Sequence, residues 1–316
     1  MIAYVLRRIL LLVPIALVVG TVAFLLLHVI PGDPAAVMLG PEATPEQVAA
    51  LRERMGLDEP LAVQYPRWLA RLARLDFGTS IFLDKPVTEA IRERVAPTTQ
   101  LALYALLIAV AVGIPAGVVA ALHQDRLLDR ALMLFAISGT AIADFFLAIL
   151  LILLFSVTLR WLPSGGYVEF SADPVGHFRS MVLPAMALGL SIAGLPARLV
   201  RSTLLEVLRE DYIRTATAKG LDLEAVAFRH ALRNALLPTV TVLGYVLGDL
   251  LGGAVVVETV FGLPGMGQLV VNSIARRDFP VIQGVVMVFA GIYLLCNLLV
   301  DVLYVYLDPR VRYAGG

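Results

Sequence analysis

DYIRTATAKGLDLEAVAFRHALRNALLP, residues Asp211–Pro238, is a charged, helix-prone insert between two hydrophobic stretches, and its reading decides the fold. Just upstream, Leu204, Leu205, Val207 and Leu208 alternate with Glu206, Arg209 and Glu210, which continues the preceding apolar stretch as a helix beyond its hydrophobic part. Gly220 breaks the pattern. Asp222 can then cap a second helix, with Glu224 in its first turn and Arg229 and Arg233 toward its end, as the helix dipole favours. The result is helix, glycine turn, helix, standing out from an apolar body. A solvated hairpin is the plain alternative, but the length of the insert, with Ala216 and Gly220 embedded in it, favours a surface on which a soluble partner docks.

The body around it is membranous. Hydrophobic residues make up 59% of the 316 and charged ones only 16%, and the mean hydropathy is +0.85. Such a composition lies outside the soluble globular range, and several runs approach the roughly 20 apolar residues that cross a bilayer. Six spans are expected, at Ile9–Ile30, Thr98–Leu122, Ala131–Val157, Met181–Leu199, Leu236–Val257 and Val281–Leu303. All must be helices, because open strands leave backbone groups unsatisfied in lipid, so the fold class is an all-α polytopic membrane protein.

Arg7 and Arg8 precede the first span, Arg126 and Arg130 lie between the second and third, and seven Arg or Lys crowd the region from Arg198 to Arg233. These, with Arg310 and Arg312, fall on one side, which the positive-inside rule makes the cytosol, with both termini. Residues 1–30 read as an N-terminal span. The apolar run is too long for a cleaved leader and ends in Pro31-Gly32-Asp33-Pro34 without a small-x-small site. Residues 31–97 form an extracytoplasmic segment, 98–305 the transmembrane core with its cytosolic loop at 200–235, and 306–316 a cytosolic tail. In the 31–97 segment, Thr44-Pro45-Glu46-Gln47 reads as a capping box, and Val48, Leu51 and Met55 share one face until Gly56. A second amphipathic stripe, Tyr65, Trp68, Leu69 and Leu72, suits a membrane interface.

Several chemistries are disfavoured. Zero formal net charge argues against nucleic acid. The single cysteine, Cys296, sits inside the sixth span and leaves no metal or redox pair. Neither lysine, Lys85 or Lys219, stands in a Gly-Lys-Ser/Thr phosphate loop, so ATP hydrolysis is expected on separate subunits. His28, His123, His177 and His230 are scattered, and no catalytic, cofactor or metal residues are expected.

The insert resembles the coupling (EAA) loop of binding-protein-dependent ABC transporter permeases. Arg214-Thr215-Ala216 stand at the Glu-Ala-Ala positions, Gly220 at the glycine and Leu237-Pro238 at the closing pair. The departures match the peptide/nickel branch, whose members carry a stretch like Asp211–Leu221 followed by one like His230–Asn234. Further motifs of that branch run along the chain: Pro31-Gly32-Asp33-Pro34, Gly56–Leu61, Asp76-Phe77-Gly78, Gly252–Phe261, Pro264-Gly265-x-Gly267, Arg277-Asp278-Phe279-Pro280 and Asp308–Tyr313. The short loop between the third and fourth spans is most similar to the dipeptide and glutathione permeases.

The resemblance implies a type I importer (MetI-like) fold of six transmembrane helices in the bacterial-type inner membrane. Its partners would be a second homologous permease, two cytosolic ABC ATPases and an extracytoplasmic solute-binding protein. It assigns coupling to Arg214, Thr215, Ala216, Lys219, Gly220, Leu221 and His230. An outer-mouth role falls to Phe261, Pro264, Gly265, Gly267 and Gln268, with Val270, Val271 and Ile274 folding back toward the pore. Helix bending falls to points such as Pro115, Pro184, Pro196 and Pro238. Di- or oligopeptides or glutathione-like peptides are the favoured solutes, with nickel chelates, opines and sugars left open. A secondary transporter or channel would instead call for an inverted repeat and converging intramembrane carboxylates at broken helices, and no convincing repeat is present.

Asp144, midway along the third span, and Asp249, midway along the fifth, stand where the family has small, hydroxyl or apolar residues. A carboxylate there costs about 2.5–3.5 kcal/mol unless it meets water or a partner. Either both line the aqueous cavity and attract a cationic group, or they are protonated or paired with the second permease.

Overall fold

The computed structural model describes residues 2–29, 33–218 and 231–307, and among these the architecture is helical throughout. Helix α1 (Ile2–Val29) is followed by three short helices, α2 (Pro34–Leu39), α3 (Pro45–Met55) and α4 (Leu61–Leu72). Then come α5 (Val87–Leu122), α6 (Leu127–Ala141), α7 (Asp144–Leu151) with a π-helical continuation over Ile152–Thr158, and α8 (Pro174–Val207). The chain continues with α9 (Asp211–Ala218), α10 (Leu232–Phe261), α11 (Met266–Ala275) and α12 (Phe279–Leu307).

Five helices among the described residues are long and apolar enough to cross a membrane. The shortest of their spanning stretches, Arg8–Val29, has 22 residues, about 33 Å of helix, enough for a hydrocarbon core of roughly 30 Å. The expected third span is not one straight helix. Its halves, α6 and α7 with the π-helical turn, meet at 106°, and counted together they make the sixth crossing. The break is two extended residues, Ile142 (ψ 128°) and Ala143 (ψ 138°), neither glycine nor proline.

The chain divides into two compact units. The first comprises Met1–Ala96 and Pro264–Leu294. Within it, Thr44 and Gln47 exchange side-chain and backbone hydrogen bonds as the capping box predicts, and Gly56 closes α3 in the left-handed region at φ 69°. Arg52 joins Asp33 at 3.0 Å and Asp58 at 2.8 Å, and the hydrogen bonds it donates to those carboxylates hold its guanidinium pKa above the ordinary value. Helix α4 leans on α1 through a ring cluster in which Phe24 lies 5.3 Å from Tyr65 and 5.7 Å from Trp68. The Thr21 and Tyr65 hydroxyls meet at 2.7 Å, and His28 reaches Gln64 at 3.2 Å.

The second unit comprises Pro97–Leu263 and Leu295–Gly316. Its centre is α8, most of whose residues from Ser180 to Val200 are buried, packed by α6, α7 and α10. Small residues let backbones touch, as membrane helix pairs require. A methyl on Gly194 would stand 2.0 Å from the Ala136 carbonyl oxygen. Cys296 is buried here, as a packing residue.

Candidate functional site

Three places in the chain carry polar groups that a membrane helix does not need for packing. The first is α9. Its two described turns, Asp211–Ala218, are largely polar and would not persist on propensity alone, so packing must hold them. Ile213, only 3% exposed, plugs into a cluster of Val118, Ala121, Val200, Leu204, Ala231 and Ala235, drawn from α5, α8 and the start of α10. The Asn234 amide donates to the Tyr212 hydroxyl at 3.0 Å, pinning the same helix to α10. Thr215 is exposed, its hydroxyl bonded back to the Asp211 carbonyl at 2.9 Å. Arg214, Thr215 and Ala216 thus lie on one anchored element. Lys219, Gly220, Leu221 and His230 lie outside the described residues. Sequence reasoning missed Ile213, although its place between Tyr212 and Arg214 as the lone aliphatic of a polar turn is a signal.

Beside it is a buried ion pair that sequence reasoning also missed. The Arg201 guanidinium donates two hydrogen bonds to Asp129, at 2.6 and 2.7 Å, and the Asp125 backbone N–H adds a third at 3.0 Å. Asp129 is 3% exposed. The fork geometry ties the start of α6 to the C-terminal extension of α8.

The second place is the break in the third span. Asp144 opens α7, where the helix dipole favours an anion. Its half-buried carboxylate is 3.2 Å from where a methyl on Gly253 would sit. Gly253 lies one turn along α10 from the exposed Asp249, and Tyr245, one turn further back, is exposed as well. Residues four apart on a helix share a face. The structure therefore brings the two aspartates, 105 positions apart in sequence by numbering, toward one face of α10. Neither side chain has a hydrogen-bond or ion-pair partner among the described residues. The π-helical turn that follows α7 is a rare form, found frequently at functional sites.

The third place is the Phe261 end of α10. Gly262, at φ 63°, closes the helix with paired bonds from Leu263 N–H to Glu258 and Gly262 N–H to Thr259. Phe261 is buried, and its carbonyl accepts from Gly166 N–H at 2.9 Å. Glu258 is wholly buried and accepts from the Thr98 hydroxyl at 2.5 Å. The adjoining loop is locked by His177, whose Nδ1 faces the Val168 carbonyl at 2.7 Å while Nε2 faces the Tyr104 hydroxyl at 3.1 Å. The first contact puts the ring proton on Nδ1, so Tyr104 donates to Nε2. Tyr167 donates to Gln100 at 3.0 Å, and burial, then the charge on Glu169, keeps its phenol above the usual range.

Pro264, Gly265, Gly267 and Gln268 belong to the other unit, where Gly265 precedes α11. Gly265 and Gly267 are buried and Gln268 half-buried. Of the three aliphatics expected to fold inward, Val270 is buried, whereas Val271 and Ile274 are exposed, at 36% and 58%. The packed side of α11 is Met266, Gly267, Leu269, Val270 and Ser273, and Val271 and Ile274 lie outside it. Among the described residues, no group of three or more His, Cys, Asp or Glu side chains could hold a metal ion.

Six apolar crossings, one of them broken at an acid, and an anchored polar helix between the fourth and fifth define a multi-pass membrane protein of the permease class. Two family profiles match it: the binding-protein-dependent transport system inner membrane component over residues 113–313, and the N-terminal part of the same membrane component over residues 1–102. The chain belongs to this family of inner-membrane transport components and has its MetI-like fold. A putative peptide transport system permease protein of Brucella abortus (strain 2308) is 46% identical over 313 residues, 99% of this chain and 100% of the relative. A probable peptide ABC transporter permease protein of Sinorhizobium fredii is 43% identical over 310 residues, covering 98% of this chain and 99% of that one. The glutathione transport system permease protein GsiC of Salmonella paratyphi A is 44% identical over 313 residues, 99% and 100% of the two chains.

Proposed function

We propose that this chain is one half of the membrane path of an ATP-driven importer of small peptides, either di- or oligopeptides or glutathione-like peptides. The observation that carries the reading is similarity from end to end, at 43–46% identity, to permeases named for peptide and glutathione transport. In this reading the chain performs no bond chemistry. A second, homologous permease completes the path, two cytosolic ATPases drive it, and an extracytoplasmic binding protein delivers the solute. Both termini and the 200–235 loop are cytosolic, and residues 31–97 are extracytoplasmic.

Anchorage of α9 by Ile213 and Tyr212 supports a coupling role for Arg214, Thr215 and Ala216, with Lys219, Gly220, Leu221 and His230 completing the surface. A displacement of α9 would reach α5, α8 and α10 through that one packed cluster. Asp144 and Asp249 are the cavity residues, where a carboxylate without a protein partner suits a cationic amino group on the solute. An outer-mouth role is assigned to Phe261 in the second unit and to Pro264, Gly265, Gly267 and Gln268 in the first.

The test is uptake. Cells or vesicles carrying this chain with its partner permease, ATPases and binding protein should accumulate labelled di- and tripeptides or glutathione when ATP is present. Uptake of a nickel chelate or sugar, with no peptide uptake, would reject the solute class while leaving the permease assignment intact.

A further inference from the structure

Within the first unit, a cavity of about 440 Å³ opens between the Val29 end of α1 and helices α3 and α4. That volume falls in the range of small-ligand sites. Its floor is apolar and aromatic, made by Phe24, Leu27, Trp68 and Phe77. Its mouth carries charge of one prevailing sign. Arg67 is neutralised by Glu59 at 2.6 Å, but the side chains of Arg54 and Arg71 have no hydrogen-bond or ion-pair partner among the described residues. Asp76, the remaining acid, has one carboxylate oxygen engaged by the Gly78 backbone N–H at 2.9 Å and pairs with neither arginine.

We infer that this cavity binds an anionic phospholipid, its phosphate at Arg54 and Arg71 and the upper part of one acyl chain on the aromatic floor. Unpaired guanidiniums at the mouth select a phosphate or carboxylate. The site's level selects the source. Phe24 and Leu27 lie within the last turn and a half of a span whose Val18, Val22 and Leu25 are exposed, at 63%, 56% and 42%, as lipid-facing residues are. The Tyr65 and Trp68 rings, 6.5 Å apart, mark interfacial depth, where aromatic side chains collect. A lipid moving in the leaflet reaches this cavity with its tail already in hydrocarbon, whereas a soluble anion must leave water to touch the floor. The inference needs only that Val29 lies at a membrane–water boundary, and does not depend on the solute.

Trp68 supplies the readout. The chain has two tryptophans, and Trp161→Phe leaves Trp68 as the only one. The purified full-length Trp161→Phe chain would be reconstituted in phosphatidylcholine containing a minor fraction of brominated phosphatidylglycerol or, in parallel, brominated phosphatidylcholine. Each arginine near an anionic headgroup favours it by about five-fold, so enrichment of the anionic lipid on the order of twenty-fold is expected. Quenching should then reach half its maximum at a correspondingly lower fraction of the brominated anionic lipid. Arg54→Gln with Arg71→Gln should remove the preference, and Arg54→Lys with Arg71→Lys should keep most of it. Trp68 emission in unbrominated lipid, unchanged between variants, shows that the cavity is intact. If the glutamine pair perturbs that emission, the lysine pair and its single glutamine variants carry the comparison. Equal quenching by both lipids in the parent chain, or a preference that survives the glutamines, would overturn the inference. Relief of quenching by a free tripeptide added from water would overturn it too, because the site would then take a soluble carboxylate.

Discussion

The Ser80 hydroxyl donates to Asp278 Oδ2 at 2.5 Å across 198 residues of sequence, and both side chains are buried. Phe82 N–H adds a longer bond at 3.4 Å, and the Ser80 oxygen accepts in turn from Leu83 N–H at 2.8 Å. The Arg276 guanidinium lies 3.5 Å above the Phe82 ring. The turn after Asp76-Phe77-Gly78 and the Arg277-Asp278-Phe279-Pro280 stretch, two of the motifs that identify the branch, are therefore a single structural piece. One oxygen of Asp278 stays buried without a partner, so the remaining bonds matter more.

Ser80→Ala should cost about 1.5–3 kcal/mol, the worth of a hydrogen bond to a buried charged group. It should appear as a lowered thermal midpoint in detergent and as new proteolytic cutting between Gly78 and Lys85. A loss of under about 0.5 kcal/mol, the range of neutral surface changes, would mean that the carboxylate is held by the backbone alone.

The Asp129–Arg201 fork predicts a non-additive pattern. Arg201→Gln leaves a buried carboxylate unpaired and should destabilise by about 3–5 kcal/mol, whereas Asp129→Asn together with Arg201→Gln should recover much of the loss. Thermal melting of the four proteins gives the cycle. Additive losses would show that the pair is solvated.

Close helix approach makes a further prediction. Gly194→Ala would drive a methyl to 2.0 Å from the Ala136 carbonyl, and backbone cannot yield cheaply, so α6 and α8 must separate. Gly253→Ala meets only the Leu188 methyl at 3.1 Å and the Asp144 carboxylate at 3.2 Å, both ends of side chains that can turn. The first should cost about 1–3 kcal/mol or more through overpacking. The second should leave stability nearly unchanged and alter uptake. Equal stability of the two variants would disprove the packing argument.

The seat of α9 can be tested apart from its sequence motif. Ile213→Asp puts a charge into an apolar cluster and should unseat the helix, so that copurification of the ATPases falls sharply while membrane insertion persists. Tyr212→Phe, which removes one exposed hydrogen bond, should have a mild effect. Full ATPase association in Ile213→Asp would count against α9 as the coupling element.

Hydrophobic runs made the spans legible, since length and composition alone decide a crossing, and Thr44, Gln47 and Gly56 specified α3 because capping is local chemistry. The bend of the third span was not legible. Ile142 and Ala143 are no breakers, and they are extended where Gly139 and Gly194 bring α6 and α8 together, with Asp144 then favoured at a new helix start. Long-range pairs such as Thr98 with Glu258 were equally hidden, because no periodicity in sequence reports which buried hydroxyl faces which acid.

That same bend gives the two odd aspartates a common reading. Asp144 alone, in mid-span, would be an isolated acid, but at a helix start beside Gly253 it stands near the face of α10 that exposes Asp249 and Tyr245. A carboxylate within about 4 Å of a solute ammonium is worth about 1 kcal/mol even at the dielectric of water, roughly five-fold in an equilibrium, and more where the walls are apolar. Asp144→Asn and Asp249→Asn should therefore each reduce uptake of lysine-containing peptides by about five-fold relative to neutral ones, with larger loss in the double variant. Basal ATPase activity and complex yield should not move, since asparagine keeps the size of the side chain. Competition between a cationic and an N-acetylated neutral peptide in one uptake assay measures the ratio directly. If both peptides lose uptake equally, or if the complex dissociates, the aspartates hold the two permeases together and take no part in choosing the solute.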